Sequence, residues 1–449
     1  MIRAMGRAFD KFARKFMPDP MLFAILLTFL TYIIGVILTE SGPFQMLQHW
    51  YKGFWELLSF AMQMCLILVT GHALATSPIV RRGIEHLAEI PKHQTGAIFL
   101  VGLTAAIAAW INWGLGIIVG ALMAREVGRS GQLRGIPMHY PLLGAAGYAG
   151  FLTWHGGLSA SAPLLVATQK HFLVNEIGVI PSSQTLFSTM NIVVSIALIL
   201  LIPTVCMLMA PRNKEEIETI VDVDPDLVKK EEVKVVPREE MVVADKIENS
   251  VIISGIVGAA GMIYVVWYFY TKGFALDLNI VNFTFLFLGI LFQRTPINYV
   301  RAVSEGAKAC AGIIVQFPFY AGIMGMMKYS GLVAIMAGWF VSISTETTYP
   351  VFTFLSAGLV NLFVPSGGGQ WAVQGPIMVK AAQAMNFDMN KTIMAVAYGD
   401  EWTNMLQPFW ALALLGITRL KAREIVGYTM VVLVVSAILF ILALLYLPV

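Results

Sequence analysis

The feature that most limits the fold is a set of long stretches with no Asp, Glu, Lys or Arg. Residues 57–80, 177–211 and 425–449 are each free of all four. A helix needs about 20 apolar residues to cross the hydrocarbon core of a bilayer, and each stretch reaches that length. Of the 449 residues 57% are hydrophobic and only 13% charged, against roughly 25% charged in soluble domains. A water-soluble core is thereby excluded, and the chain reads as an all-α polytopic membrane protein. Its apolar runs are 21–40, 55–80, 95–124, 138–168, 183–210, 249–271, 276–293, 309–327, 347–379, 391–416 and 425–447.

Lys and Arg set the orientation. Place the N-terminus in the cytoplasm, and let the runs 95–124 and 347–379 each leave on the side they enter. All but six of the 30 Lys and Arg residues then lie inside. The exceptions are Lys52, Lys170, Lys272, Lys328, Lys380 and Lys391, so every Arg is cytoplasmic. The C-terminus then lies on the outer, periplasmic side. Residues 1–20 intersperse Phe, Met and Ile with Arg3, Arg7, Lys11, Arg14 and Lys15, which suits a basic helix lying on an anionic membrane surface. The stretch 211–248 is charged and mixed in sign, and reads as a solvated cytoplasmic linker. Cys65, Cys206 and Cys310 sit in apolar runs without ligand spacing and read as buried thiols.

Two uncharged runs are too long for one helix and are interrupted. Trp113-Gly114-Leu115-Gly116 breaks the first, and Pro365-Ser366-Gly367-Gly368-Gly369 breaks the second. Re-entrant hairpins fit both, because such backbone must be packed in protein or line a cavity. After each comes a broken span rich in Gly, Ser, Trp and Pro, at 151–163 and 398–408. The order span, span, hairpin, broken span, span thus occurs in 21–210 and again, inverted, in 272–449, with 249–271 as a connecting helix. Two inverted-topology repeats are the mark of a secondary transporter, whose site lies where the broken elements meet.

With every Arg on a flank, an anionic solute would be held by half-helix N-termini, where unpaired N–H groups favour negative charge. Candidate substrate contacts in the first half are Asn112, Gly114, Gly116, Thr153, Trp154, Ser159 and Ser161. In the second half they are Asn361, Ser366, Gly367, Gly368, Gly369, Gln370, Trp402, Asn404 and Gln407. Asp400 and Glu401 are acids placed between apolar segments. Carboxylates in a membrane are costly and functional, so these are the candidates to carry coupled H⁺ or Na⁺. His155 is either a further proton carrier or a hydrogen-bonded structural residue. Trp110, Trp113, Trp154, Trp371, Trp402, Phe409 and Trp410 supply an apolar wall. An amphiphile with a small carboxylate head and a short tail matches such a site, though composition alone does not choose it. Neither HExxH, GxSxG nor GxxxxGK[ST] occurs, so enzyme chemistry lacks its parts; no cofactor, metal or nucleic acid is expected.

Several motifs together resemble the bacterial short-chain fatty acid transporter family. They are Val364 to Trp371 with Gln374-Gly375-Pro376, Asp400-Glu401-Trp402, Gln407-Pro408-Phe409-Trp410 and Ile111-Asn112-Trp113-Gly114. Pro18-Asp19-Pro20, Gly53-Phe54-Trp55 and Gln316 to Gly322 add to them, and the likeness runs nearly end to end. It implies uptake of butyrate-like acids or acetoacetate across the inner membrane. It also implies membership of a wider ion transporter superfamily, often dimeric, in which a transport domain slides against a scaffold. The chain departs from the family pattern at His155, where Gly is common, and at Gln370, where His is common. The reading is an importer of short-chain monocarboxylates coupled to H⁺. Its alternatives are a Na⁺-coupled carrier of another small organic anion and a passive channel.

Overall fold

A computed structural model describes residues 20–229, 241–362, 364–406 and 410–449; among these, helices are the only regular elements. The first half comprises α1 (Pro20–Leu38), α2 (Pro43–Gly53), α3 (Leu58–Ala75), α4 (Pro78–Glu89), α5 (Gln94–Ile111), α6 (Trp113–Leu133), α7 (Tyr140–Ala149), α8 (Ser161–Ala167) and α9 (Thr189–Leu208). Then α10 (Val251–Lys272) leads to α11 (Leu278–Gln293), α12 (Pro296–Ala307), α13 (Ala311–Ser330), α14 (Leu332–Ile343), α15 (Tyr349–Asn361), α16 (Gly367–Ala384), α17 (Met389–Thr403), α18 (Leu412–Thr418) and α19 (Ala422–Tyr446). Shorter pieces are left unlabelled. The basic segment 1–20 and Gln407 lie outside the described residues, apart from Pro20 at the start of α1.

Polar residues set where these helices begin. Ser77, Ser188, Ser250, Asp277, Thr295 and Asp388 each accept a backbone N–H from the first turn of the helix that follows. Gly331, with φ of 83°, ends α13 in the left-handed region that glycine adopts without strain. Among the described residues, six helical stretches are long and apolar enough to cross a membrane. Their outer faces stay apolar, as Ile252, Ile256, Ile263 and Val266 of α10 show by their exposure. Such a surface is suited to lipid, not water.

Two ends of the bundle can be told apart by charge. At one, Arg134 donates to the Glu89 carbonyl at 2.7 Å, Arg129 donates to the Val228 carbonyl at 3.0 Å, and Arg419 pairs with Asp224. Both outer ends of the α5–α6 hairpin lie there. The outer end of α16 lies at the other, where Gln383 donates to the Glu176 carbonyl at 2.8 Å. The breaks of both helix pairs border two adjoining cavities, through Trp113 and Gly114 in one pair and Pro365 and Ser366 in the other.

Three features depart from the sequence expectation. The amphipathic helices α2 and α12 and the apolar α14 stand between the expected spans. Only 11 to 12 residues long, they are too short to register as spans. The charged linker is not solvated throughout. Ile220 and Leu227 are buried, Tyr140 N–H donates to the Glu218 carbonyl at 2.8 Å, and Glu218 N–H donates to His139 Nδ1 at 3.1 Å. Two apolar side chains among many charges give no periodic signal, yet they dock this segment on α6 and α7.

Candidate functional site

A helix hairpin buried in protein must satisfy the N–H and C=O groups that its break leaves open. The first tip breaks at a single residue. Asn112 caps α6, its Oδ1 accepting from Leu115 N–H at 2.9 Å. Trp113 N–H donates to Ser159 Oγ at 2.9 Å, and the Trp110 carbonyl accepts from Leu158 N–H at 2.7 Å. The loop 154–160 that breaks the α7–α8 span thus closes the tip. Gly157 permits this, because a Cβ there would lie 2.2 Å from the Trp110 carbonyl oxygen.

The second tip is a longer break, ending at Ser366, whose Oγ caps α16 by accepting Gly369 N–H at 3.3 Å. Ser366, not Asn361, is therefore the counterpart of Asn112. Asn361 ends α15, and its Nδ2 donates to the Asp400 carbonyl at 2.6 Å and to Thr403 Oγ1 at 2.9 Å. The three glycines that follow are sterically required. A Cβ on Gly367 would stand 2.4 Å from the Trp154 ring, 2.8 Å from His155 Cε1 and 2.9 Å from Asp400 Oδ2. On Gly368 it would meet Phe60, and on Gly369 Tyr320.

Between the broken spans lies a buried polar cluster. His155 Nδ1 stands 2.6 Å from Asp400 Oδ2, His155 N–H donates to Glu401 Oε2 at 2.7 Å, and Ala162 N–H donates to His155 Nε2 at 3.2 Å. Since Nε2 accepts, the ring proton sits on Nδ1, which donates to the Asp400 carboxylate. Trp154 stacks on His155 at 4.1 Å and donates through Nε1 to Asn404 Oδ1 at 2.9 Å. Asp400 Oδ1 and Glu401 Oε1 are buried without a hydrogen-bond partner. Asp400 and Glu401 are 1% and 0% exposed, so both acids sit in the interior, not at the surface.

Beside this cluster is a small pocket of about 20 Å³ lined by Trp113, Phe151, Trp154, Trp410, Ser161, Ser366, Gly367 and Gly368, with Met64 and Ile313. Through Ile313, Ser366 and Trp410 it adjoins a vestibule of about 860 Å³. Gly114, Pro365 and α18 line the vestibule, and His72, Glu305 and Lys308 stand at its Arg-bearing end. Among the expected substrate contacts, Gly114, Trp154, Ser161, Ser366, Gly367 and Gly368 thus share these walls. Of the other described ones, none lines either cavity. Gly116 packs on Ala109, Thr153 donates to the Ala106 carbonyl at 2.7 Å, and Gln370 donates to the Ala357 carbonyl at 2.8 Å. Trp402 donates to the Leu433 carbonyl of α19 at 2.8 Å. Phe151 and Met64 line the pocket without having been singled out as contacts; an apolar residue in an apolar helix gives no signal.

Apolar helices of membrane-spanning length, two broken spans and a vestibule that lies near a buried polar cluster are the build of a polytopic membrane transporter. Residues 1–447 match the model of the family described as short chain fatty acid transporter. The chain belongs to that family. A relative from Escherichia coli K12 is 43% identical over 99% of both chains. One from Haemophilus influenzae is 42% identical over the full length of both. Each carries the provisional name short-chain fatty acid transporter. In fold, the chain is similar to the Alcanivorax borkumensis YdaH transporter, with a TM-score of 0.57 at 15% identity, covering 95% of this chain and 98% of that one. It is similar also to Neisseria gonorrhoeae MtrF, described within a class of antimetabolite efflux pumps, with a TM-score of 0.58 at 15% identity and 95% coverage of both.

Proposed function

We propose that this chain imports short-chain monocarboxylates across a bacterial inner membrane by proton-coupled alternating access. The observation that carries the reading is the small pocket. Its polar end is the first turn of α16, where the leading N–H groups of a helix lack intrahelical acceptors and attract an anion. Its walls are Trp113, Phe151, Trp154 and Trp410, and no Lys or Arg is among its lining residues. A single carboxylate head suits that turn; the pocket itself has about the volume of one water, so the short apolar tail would lie in the adjoining vestibule of about 860 Å³. A dicarboxylate would need a second cationic partner.

An elevator-type motion of inverted repeats is supported by reciprocal packing. α3 of the first half packs on α11 and α12 of the second, while α13 of the second packs on α1 and α2 of the first. A pseudo-two-fold axis requires that exchange. With the Arg-bearing end in the cytoplasm, the N-terminus is cytoplasmic, the C-terminus periplasmic, and the vestibule is open inward. The cluster of His155, Asp400 and Glu401 carries the coupled ion in this reading.

The test is uptake of labelled butyrate into proteoliposomes, with proton and sodium gradients imposed separately and empty liposomes subtracted. Accumulation on the proton gradient, lost in Asp400→Asn, is the expected result. Accumulation on sodium alone would replace the proton with Na⁺. No uptake by folded protein would end the fatty-acid reading.

A further inference from the structure

We infer that the coupled proton is taken up at Nε2 of His155, where it replaces a backbone hydrogen bond and makes a cation directly behind the wall of the substrate pocket. This rests on the carboxylate reading above. In the structure Nε2 is an acceptor, held by Ala162 N–H at 3.2 Å, while Nδ1 donates to Asp400 at 2.6 Å. A proton arriving at Nε2 turns that atom into a donor, and a donor cannot accept from Ala162 N–H. The bond to Ala162 opens. The imidazolium remains paired with Asp400 through Nδ1.

Two facts set this event against the pocket wall. Ala162 follows Ser161, a residue of the pocket wall. The His155 ring abuts Gly367 on the same wall, its Cε1 2.8 Å from where a Cβ would stand. A carboxylate in the pocket supplies the acceptor that Nε2–H then needs. The titratable groups facing His155 are Asp400 and Glu401 of α17; Trp154, Gly367 and Ala162 are its other neighbours. No Lys or Arg among the pocket-lining residues competes for the anion.

Proton and carboxylate therefore each strengthen the binding of the other, and linkage makes the effect reciprocal. One positive and one negative charge enter together, so the loaded carrier gains no net charge. The proton comes from water in the vestibule and leaves from Nε2 when the carboxylate leaves. Nothing is oxidised or reduced.

The experiment is proton uptake on adding butyrate to the full-length protein in detergent, in weak buffer with a pH indicator near neutrality. One proton per butyrate bound is expected, with affinity weakening about tenfold per pH unit on the alkaline side. In His155→Gln the proton uptake is lost and the affinity no longer follows pH. Should that variant not fold, ¹⁵N-histidine NMR of the wild-type protein decides, with one Nε2 resonance moving to the imidazolium position when butyrate is added. Butyrate binding without proton uptake, or with uptake unchanged in His155→Gln, overturns the inference and leaves the carboxylate reading standing. No butyrate binding to folded wild-type protein overturns both.

Discussion

The two hairpin tips use one device, a polar cap on the second helix, and surround it differently. At the first tip the break is Asn112 alone, wholly buried, and Ser159 and Leu158 close the open backbone groups. At the second, α15 ends at Asn361 and α16 begins at Gly367, and Pro365 and Ser366 line the vestibule. The first tip is a fixed wall of the pocket. The second borders it with the first turn of α16, where Gly367 brings the backbone against Trp154, His155 and Asp400, Gly368 against Phe60 and Gly369 against Tyr320. In the proposed function the second tip, whose helix start borders the cavity, meets the ligand, while the first, closed by Ser159 and Leu158, serves stability.

The largest expected difference is between Gly367→Ala and Gly114→Ala. The first methyl would overlap the Trp154 ring at 2.4 Å and crowd His155 and Asp400. Displacing α16 by a fraction of an ångström to make room is expected to cut butyrate transport about 100-fold. The second methyl would meet the Leu68 backbone at 3.1 Å, which small shifts relieve. A loss of less than about fivefold is expected there, since mild overpacking costs about 1 kcal/mol. Equal losses in the two variants would mean that both tips move in transport, and the contrast would fail.

Next in size is Ser159→Ala. It leaves Trp113 N–H buried without its acceptor, at a cost of about 1–3 kcal/mol. Denaturant or thermal unfolding in detergent should show this loss, while the KM for butyrate holds. A raised KM with unchanged stability would move Ser159 from the wall to the ligand.

Caps sharpen the comparison further. Asn112→Ala and Ser366→Ala each remove a helix cap, worth about 1 kcal/mol. At Asn112 the expected readout is stability alone. At Ser366 the cap borders the pocket, so KM should rise about threefold, because a loss near 0.7 kcal/mol in binding is that factor. Uptake kinetics and unfolding measured on both variants separate the two outcomes.

How much of this was legible in the sequence follows from the range of each interaction. Uncharged runs give spans, because a membrane segment must satisfy its backbone internally and shows it in composition. Gly and Pro breaks gave the tips for the same local reason. The apolar neighbours of Asp400 and Glu401 marked them as candidates but fitted an outer-surface position as well as burial, and their partner could not be read. His155 stands far from Asp400 in the chain, and a single His among Gly and Ser fits a structural role as well as a polar cluster. Ser366 and Asn361 were both candidates as polar residues near one break, and only backbone geometry shows that Ser366 is the cap. The docking of 218–228 rests on two apolar side chains and several main-chain bonds, which leave no periodic trace.

Trp402 gives the smallest expected effect and tests which aromatics belong to the site. Beside Asp400 and Glu401 in sequence, it was expected among the substrate contacts. On α17, however, consecutive residues point in different directions, about 100° apart. Asp400 turns toward His155 while Trp402 turns toward α19, packing on Phe354 at 4.8 Å and donating to the Leu433 carbonyl at 2.8 Å. Trp402→Phe keeps most of that packing and loses one hydrogen bond, a cost of about 1 kcal/mol. Unfolding should report it, and butyrate KM should not move. Trp154→Phe makes the internal contrast, since that indole lines the pocket and holds Asn404, so KM should rise there. A KM change in Trp402→Phe equal to that in Trp154→Phe would show that the second broken span turns its aromatic face to the substrate during the cycle.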